Sequence, residues 1–252
     1  MKALILAAGY ATRLRPLTDE TPKQLLPVGS RPIVDWILEK IAETDADEVH
    51  LVTNGRYVDD FQRWARGKAV RIHDDGTTSN EDRLGAIGDI QFVRERARLD
   101  DDLLVIAGDN LFDFSLADFV AYGRAKNGSC IAVHDVGELE LARQYGIVSV
   151  DAEDRITSFV EKPPEPPSTL AATATYLYLR EHMRLLDAYL RDENPLDQPG
   201  NFVAWLHTRA PVYAYRFSGD WFDIGDRRQL LEADNRLRRR VGLPERAEYS
   251  PS

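Results

Sequence analysis

The chain has 252 residues, of which 43% are apolar and 29% charged, and carries a net charge of −10. These are the proportions of a globular protein long enough to bury its own core without covalent staples. A single cysteine, Cys130, excludes an internal disulfide and an all-cysteine metal site. No run of about 18 apolar residues is present to span a membrane. The acidic balance argues against a nucleic-acid binder, which needs a basic face.

In chain order, the first half alternates strands with helices. Residues 3–6 form a short apolar run that reads as a buried strand rather than a leader, because Gly9 and charged residues follow at once. A cytoplasmic protein is the expectation. Ile33, Trp36, Ile37 and Ile41 recur at helical spacing within 32–41. Strands are predicted at 49–53, 70–73, 103–107 and 129–134, and helices at 58–65 and 116–126. In the second half, strands at 147–150 and 156–160 flank the turn Asp151-Ala152-Glu153-Asp154. The proline-rich segment EKPPEPPS, 161–168, is a loop. A β-rich run at 173–179, helices at 182–190 and 202–207, a strand at 212–217 and a helix at 227–240 follow. That helix ends before Gly242 and Pro244, and the tail 246–252 is expected to be mobile. The pattern predicts an α/β fold: a Rossmann-like, mostly parallel mixed sheet flanked by helices, as one domain with a lobe inserted or appended after about residue 140.

The stretch from Leu6 to Pro32 carries the chemistry. A buried strand runs into a loop with Gly9, Thr12, Arg13, Arg15 and Lys23 and no apolar period. Loops at the carboxyl ends of strands bind ligands in open α/β sheets, and small residues there let backbone N–H groups approach a phosphate. Arg13 offers a planar fork for phosphate oxygens and Lys23 a point charge. A βα loop with surface cations is also an ordinary feature of α/β proteins, so spacing alone leaves both readings open. The dinucleotide pattern G-x-G-x-x-G does not follow the first strand, and the P-loop pattern is absent.

The run LAAGYATRLRPLTDETPKQLLPV resembles the signature of the sugar-1-phosphate nucleotidyltransferases, with Ala8 and Ala11 where that signature has glycines. Further segments fit in order. Leu84-Gly85-Ala86-Ile87-Gly88-Asp89 is similar to the family's base-binding turn L-G-T-A-G-A, departing at Ala86, Ile87 and Asp89. Gly108-Asp109-Asn110 resembles its G-D metal motif. Tyr145-Gly146-Ile147-Val148 with Glu161-Lys162-Pro163 resembles its Y-G-V and E-K-P pair, and Trp221-Phe222-Asp223-Ile224-Gly225 its W-x-D-x-G. The resemblance covers about residues 1–235.

It implies a single domain over 1–252, with a nucleotide-binding part at about 1–135, a small sugar-phosphate-binding lobe at about 136–225 and a closing helix at about 226–240. It implies an enzyme joining an NTP to a sugar 1-phosphate and releasing pyrophosphate. By the resemblance, Ala8, Gly9, Thr12, Arg13, Asn80, Gly85 and Asp109 contact the nucleotide, and Tyr145, Gly146, Glu161, Lys162 and Tyr176 the sugar phosphate. Arg13, Lys23 and Lys162 are the catalytic cations, and Asp109 and Asp223 hold Mg²⁺. Tyr176 stands where the family often has a glycine against the sugar. Plainer roles compete: helix N-caps for Asp109 and Asp223, with Asp226 the better cap for the last helix, and a surface ion pair for Glu161 and Lys162. The five histidines show no metal spacing, and Arg236, Arg238, Arg239 and Arg240 complement a helix dipole. PKQLLPV favours glucose 1-phosphate with dTTP or UTP. Guanylyl or cytidylyl transfer to mannose, heptose or another phosphorylated acceptor, and a non-catalytic nucleotide-sugar-binding paralogue, are the alternatives. Relatives are often dimers or tetramers, so a homo-oligomer is an expectation.

Overall fold

The computed structural model describes residues 1–251. Strand β1 (Lys2–Leu6) enters a long loop with two 3-10 turns, Thr12–Leu14 and Lys23–Leu25. The short ribbon of β2 (Pro27–Val28) and β3 (Arg31–Pro32) leads into α1 (Ile33–Ile41). Then come β4 (Glu48–Thr53), α2 (Val58–Trp64), β5 (Val70–Asp74), α3 (Ala86–Arg96), β6 (Leu103–Ala107), β7 (Asn110–Phe112), α4 (Leu116–Lys126) and β8 (Ser129–Asp135). The second half runs through α5 (Leu139–Ala142), β9 (Gly146–Val150), β10 (Ile156–Glu161), β11 (Leu170–Tyr178), α6 (Arg180–Met183) and α7 (Leu186–Arg191). It ends with α8 (Gly200–Leu206), β12 (Val212–Phe217), β13 (Trp221–Asp223) and α9 (Arg227–Arg240).

The mixed sheet has a parallel half, ordered β5-β4-β1-β6. Next to β6 lies β11, antiparallel both to β6 and to β8, and β12 closes that edge parallel to β8. β11 does not keep one register: its pairing with β8 shifts between Ala172 and Tyr176. Its last residues pair with β6, while Ala171 pairs with Ile147 of β9. The antiparallel pair β9–β10 therefore stands beyond the carboxyl end of β6, over the end of the sheet where ligands bind in open α/β folds.

Alternating side chains fill both faces. Ala3, Ile5, Leu51, Leu104 and Ile106 pack under Ile37 of α1, Phe119 of α4 and Leu230 of α9. Leu4, Val52, Leu103 and Val105 pack under Ile87 and Ile90 of α3, Tyr189 of α7 and Phe202 of α8. The predicted helix 182–190 is two short helices, α6 and α7. Helix α3 is masked in the sequence by Gly85 and Gly88, which read as a turn. In the fold Gly88 lets the helix close on its own entry, since a Cβ there would lie 2.9 Å from Leu84 Cβ. The mobile tail is a correction. The Arg246 backbone N–H donates to Asn235 Oδ1 (2.8 Å), Asn235 Nδ2 donates to the Arg246 carbonyl (2.8 Å), and the Tyr249 hydroxyl donates to the Pro27 carbonyl (2.9 Å). Ser252 lies outside the described residues. Among the described residues no helix is long and apolar enough to cross a membrane.

Two buried histidines on neighbouring strands, His50 and His73, share a hydrogen bond of 2.9 Å between Nδ1 and Nε2. Burial lowers both, and His73 falls to about 4 because the imidazole of His50 also opposes its charge. A histidine lowered on folding binds fewer protons folded than unfolded, so its contribution to stability is complete above the unfolded value and is lost as the pH falls toward the folded one. We expect unfolding free energy to drop by on the order of 3 kcal/mol between pH 6.5 and 4 from His73. His73→Gln should flatten that slope in urea titrations at stepped pH; an unchanged slope would assign the acid sensitivity elsewhere.

Candidate active site

A cavity of about 530 Å³ opens where β1 and β6 end, between the loop after β1 and the β9–β10 lobe. That is the size of a small-molecule site. The loop is pinned before any ligand arrives. Asn54 Nδ2 donates to the Ala8 carbonyl (2.8 Å), Thr18 Oγ1 donates to the Ala11 carbonyl (3.0 Å), and the Tyr10 hydroxyl meets Thr77 Oγ1 at 3.0 Å. Ala11 takes the left-handed conformation, φ 44°, which turns the chain into the Thr12–Leu14 turn. Arg13 then projects at the cavity wall beside Gly225, where a Cβ would lie 3.4 Å from its Nη2. Among the described residues its guanidinium makes no hydrogen bond or ion pair, so its five donors are available to an anion.

Lys23 joins three segments. Its ammonium donates to Asp109 Oδ2 (2.5 Å) at the end of β6 and to the Ile224 carbonyl (2.8 Å) after β13. The β7–β13 ribbon sets Asp223 opposite Asn110, and the Ile224 N–H donates to the Asp109 carbonyl (3.2 Å). Trp221 Nε1 donates to Asn110 Oδ1 (2.7 Å), which fixes the Asn110 amide so that its Nδ2 donates to Asp109 Oδ1 (3.0 Å). Burial pulls the Asp109 carboxyl upward, but the Lys23 charge and the hydrogen bonds from Lys23 and Asn110 outweigh it and hold it below its ordinary value. Asp223 goes the other way. Burial and the Asp109 charge push it up to about 6, with Lys23, Arg13 and Lys162 opposing. Neither aspartate caps a helix: Asp109 precedes a strand, and Asp226 caps α9 by accepting from the Gln229 N–H (2.9 Å) in a capping box.

The lobe supplies the other wall. Burial raises the Glu161 carboxyl against the partial relief of Lys162, and it makes no hydrogen bond among the described residues. Its Oε2 lies between two glycines, so that a Cβ would come within 2.9 Å of it on Gly146 and 3.0 Å on Gly200. The Phe159 ring presses on both glycines from beneath. Lys162 has φ 45°, its N–H donates to the Tyr145 carbonyl (3.0 Å), and its ammonium stays 3.9 Å from Glu161. That is a long contact for an ion pair of any strength. Tyr145 packs on Trp221 with ring centroids 4.9 Å apart, and Tyr176 stacks on Tyr178 at 5.7 Å. The left-handed position that favours glycine in this strand is Ala174, φ 52°, in the β11 register shift. Tyr176 follows it in extended pairing with Val105.

The cavity thus gathers Gly9, Arg13, Lys23, Asp109, Tyr145, Gly146, Glu161, Lys162, Tyr176 and Asp223 from the predicted residues. Ala8, Thr12, Asn80 and Gly85 do not line it. Ala8 contributes its carbonyl to Asn54, and Thr12 and Asn80 are exposed. Gly85 (φ 79°) serves packing: a Cβ would lie 2.6 Å from the Leu196 carbonyl oxygen. The first N–H groups of α3 are taken by the carbonyls of Asp197 (3.2 Å) and Leu196 (2.9 Å). Sequence reasoning missed Gln24, Gln144, Gln198, Gly200 and Gln229. Only Gln24 stood inside a recognisable motif. It is 3% exposed, and its Oε1 has no hydrogen-bond partner.

The profile of the nucleotidyl transferase family matches residues 2–240, and the chain belongs to that family. It is 29% identical over 240 residues to a Sulfolobus acidocaldarius protein provisionally named a mannose-1-phosphate guanyltransferase, covering 94% of this chain and 63% of that one. It is 30% identical over 239 residues to a UTP–glucose-1-phosphate uridylyltransferase of a Synechocystis species, covering 89% and 60%. The chain spans about three-fifths of the length of these curated relatives. A solved UDP-glucose pyrophosphorylase of Acinetobacter baumannii shares the fold, with a TM-score of 0.76 at 22% identity over 96% of both chains.

Gly200 opens α8, where helix propensity alone favours alanine over glycine by about 1 kcal/mol. The Phe159 ring decides otherwise, because a Cβ at Gly200 overlaps it. Gly200→Ala should therefore destabilise the fold by about 1–3 kcal/mol. Denaturant unfolding checks the sign: a stabilised variant would mean that the ring moves aside.

Proposed function

We propose that this nucleotidyl transferase joins an NTP to a sugar 1-phosphate, releasing pyrophosphate and an NDP-sugar. The observation that carries the reading is the convergence on one cavity of unpaired Arg13, of Lys23, of Lys162 and of two carboxylates with unequal proton affinity. A phosphate monoester is already a nucleophile, so no strong base is required. One of its oxygens attacks the α-phosphorus, the bond from that phosphorus to the pyrophosphate oxygen breaks, and the charge leaves with pyrophosphate. The difficulty is repulsion between two anions, and fixed cations remove it. Arg13 holds the departing pyrophosphate, Lys23 sits between the reacting groups and Lys162 holds the acceptor phosphate. Glu161 receives a sugar hydroxyl against the flat floor made by Gly146 and Gly200.

Asp109 and Asp223 fit Mg²⁺, which takes one or two carboxylates with waters and phosphates. Their fit rests on the raised Asp223 carboxyl, an anion destabilised by its neighbour that a cation would restore. Bound Mg²⁺ supplies charge neutralisation on the phosphates. Lys23 occupies one oxygen of Asp109, and with Mg²⁺ held by Asp109 and Asp223 its ammonium would be free to meet a phosphate. Glucose 1-phosphate with dTTP or UTP is the first expectation for the substrates, supported by PKQLLPV. Guanylyl transfer is the second, favoured by the Sulfolobus relative. The reading carries a cytoplasmic setting, where NTPs and sugar phosphates occur.

The test is pyrophosphate release with Mg²⁺ across dTTP, UTP, CTP, GTP and ATP against glucose, galactose, mannose and N-acetylglucosamine 1-phosphates. One strongly preferred pair is expected; silence across the grid without nucleotide binding overturns the assignment. On the preferred pair, Arg13→Ala and Asp109→Ala should each lower kcat by about two orders of magnitude, the usual loss when a preorganised charge is removed. Near-normal turnover would remove the residue from its role.

A further inference from the structure

Away from the cavity, two acidic side chains meet inside the protein. Asp75 follows β5, and Asp89 lies in the first turn of α3 and is 6% exposed. Asp75 Oδ2 and Asp89 Oδ1 are both buried and without a hydrogen-bond partner. The two carboxyls adjoin, and each shifts the other's proton affinity. Two bare carboxylates cannot hydrogen-bond to each other, since each has only acceptors. A single proton between them satisfies both orphaned oxygens.

The other oxygen of Asp75 accepts from the Thr77 N–H (2.7 Å) and Thr77 Oγ1 (2.8 Å). Because the Thr77 hydroxyl donates to Asp75, it must accept from Tyr10, whose hydroxyl lies 3.0 Å away. The charged groups facing the pair are the two carboxyls themselves and the neighbouring Asp74. Among the described residues no lysine or arginine forms an ion pair with either. Tyr10 sits between Gly9 and Ala11, both of which line the active-site cavity. With one proton between the carboxyls, a hydrogen-bonded path runs from Asp89 through Asp75, Thr77 and Tyr10 to the loop that carries Arg13.

We propose that Asp89 is a positioning residue, a neutral carboxylic acid that clamps Asp75 and, through Thr77 and Tyr10, holds the loop after β1 in its nucleotide-binding shape. Burial and the Asp75 charge push the Asp89 carboxyl up to about 8, so the clamp is closed at neutral pH and opens under mild alkali. Loss of that proton places two buried anions in contact. Asp75 can then leave Thr77, whose hydroxyl is freed to rotate and no longer fixes Tyr10. The effect falls on nucleotide binding, because no group in this path touches the reacting atoms. This inference rests on the nucleotidyl-transfer reading for its kinetic half only.

The experiment compares wild type with Asp89→Asn, whose amide donates to Asp75 at every pH, and uses two readouts. The first is the thermal midpoint from pH 5 to 9. A carboxyl raised on folding loses its contribution as the pH climbs from its unfolded to its folded value. The midpoint of D89N should therefore gain on wild type up to about pH 8 and hold its lead above that. A gap that does not change with pH shows there is no shared proton and overturns the proposal, whatever the enzyme's activity. The second readout is the NTP KM of the same two proteins. Wild type should rise by about five-fold or more between pH 7 and 9, and D89N by less than about two-fold, the scale of relayed coupling. Equal alkaline rises in both proteins, with the midpoint gap intact, overturn the positioning role and leave the clamp as packing alone. Absence of turnover in wild type with every NTP strikes at the catalytic reading, and direct titration of MgNTP binding over the same pH range then decides the positioning role in the same way.

Discussion

The ammonium of Lys23 holds the site together. It belongs to a loop that leaves β1, yet it bonds the carboxylate at the end of β6 and a carbonyl beyond β13. These segments lie far apart in sequence, and each has its own anchor: the parallel sheet for β1 and β6, the β7–β13 ribbon for Asp223. One cation among them compensates an arrangement that would otherwise place two half-buried carboxyls against each other. Asp109 keeps its charge because Lys23 is present, and Asp223 carries the unresolved repulsion as a raised proton affinity. A pair of neighbouring carboxyls with unequal proton affinity marks this cavity as a candidate functional site.

The lobe depends on a different constraint, the geometry of β11. A strand that kept one register beside β6 would leave nothing to hold β9 and β10 beyond the sheet. The shift between Ala172 and Tyr176 lets a single strand serve the core with its last residues and the lobe with its first. The cost is local. Ala174 occupies the left-handed region, where a Cβ is disfavoured by about 1 kcal/mol. Ala11 and Lys162 share that conformation, and all three line the cavity. Non-glycine residues persist in this region only where surrounding contacts over-determine them. Here those contacts are the Thr18 bond to Ala11 and the Lys162 bond to Tyr145.

Much of this was readable before the fold was known. Buried strands announced themselves as unbroken apolar runs, and Arg13, Lys23, Asp109, Glu161, Lys162 and Asp223, each singled out by a motif, line one cavity in the fold. What escaped had a common cause. Gly85 reads as a base-binding glycine, but the contact that requires it comes from Leu196, more than a hundred residues later. Gly200 and Gln198 sit in a stretch with no pattern of its own. The tail reads as mobile because its anchors, Asn235 and the Pro27 carbonyl, are tertiary. Local sequence carries propensity and motif, whereas the fit of one segment against a distant one does not register in either.

The same limit explains why Asp89 is informative. Inside LGAIGD it reads as a departure from a turn motif, at a place where a charge near a helix start would be unremarkable. The fold buries it and gives it Asp75 as a neighbour. A buried carboxyl with no cation at hand stays neutral or finds a proton donor, because carrying a bare charge into the interior costs far more than either. Two such groups in contact solve the problem jointly with one proton, and the solution ties β5 to α3. The site proper uses fixed cations to balance its carboxylates, while the scaffold behind it uses a proton. Asp223 answers to pH on the acid side of neutrality and the Asp75–Asp89 pair on the alkaline side, so on our proposal the alkaline tolerance of the loop after β1 is set outside the cavity.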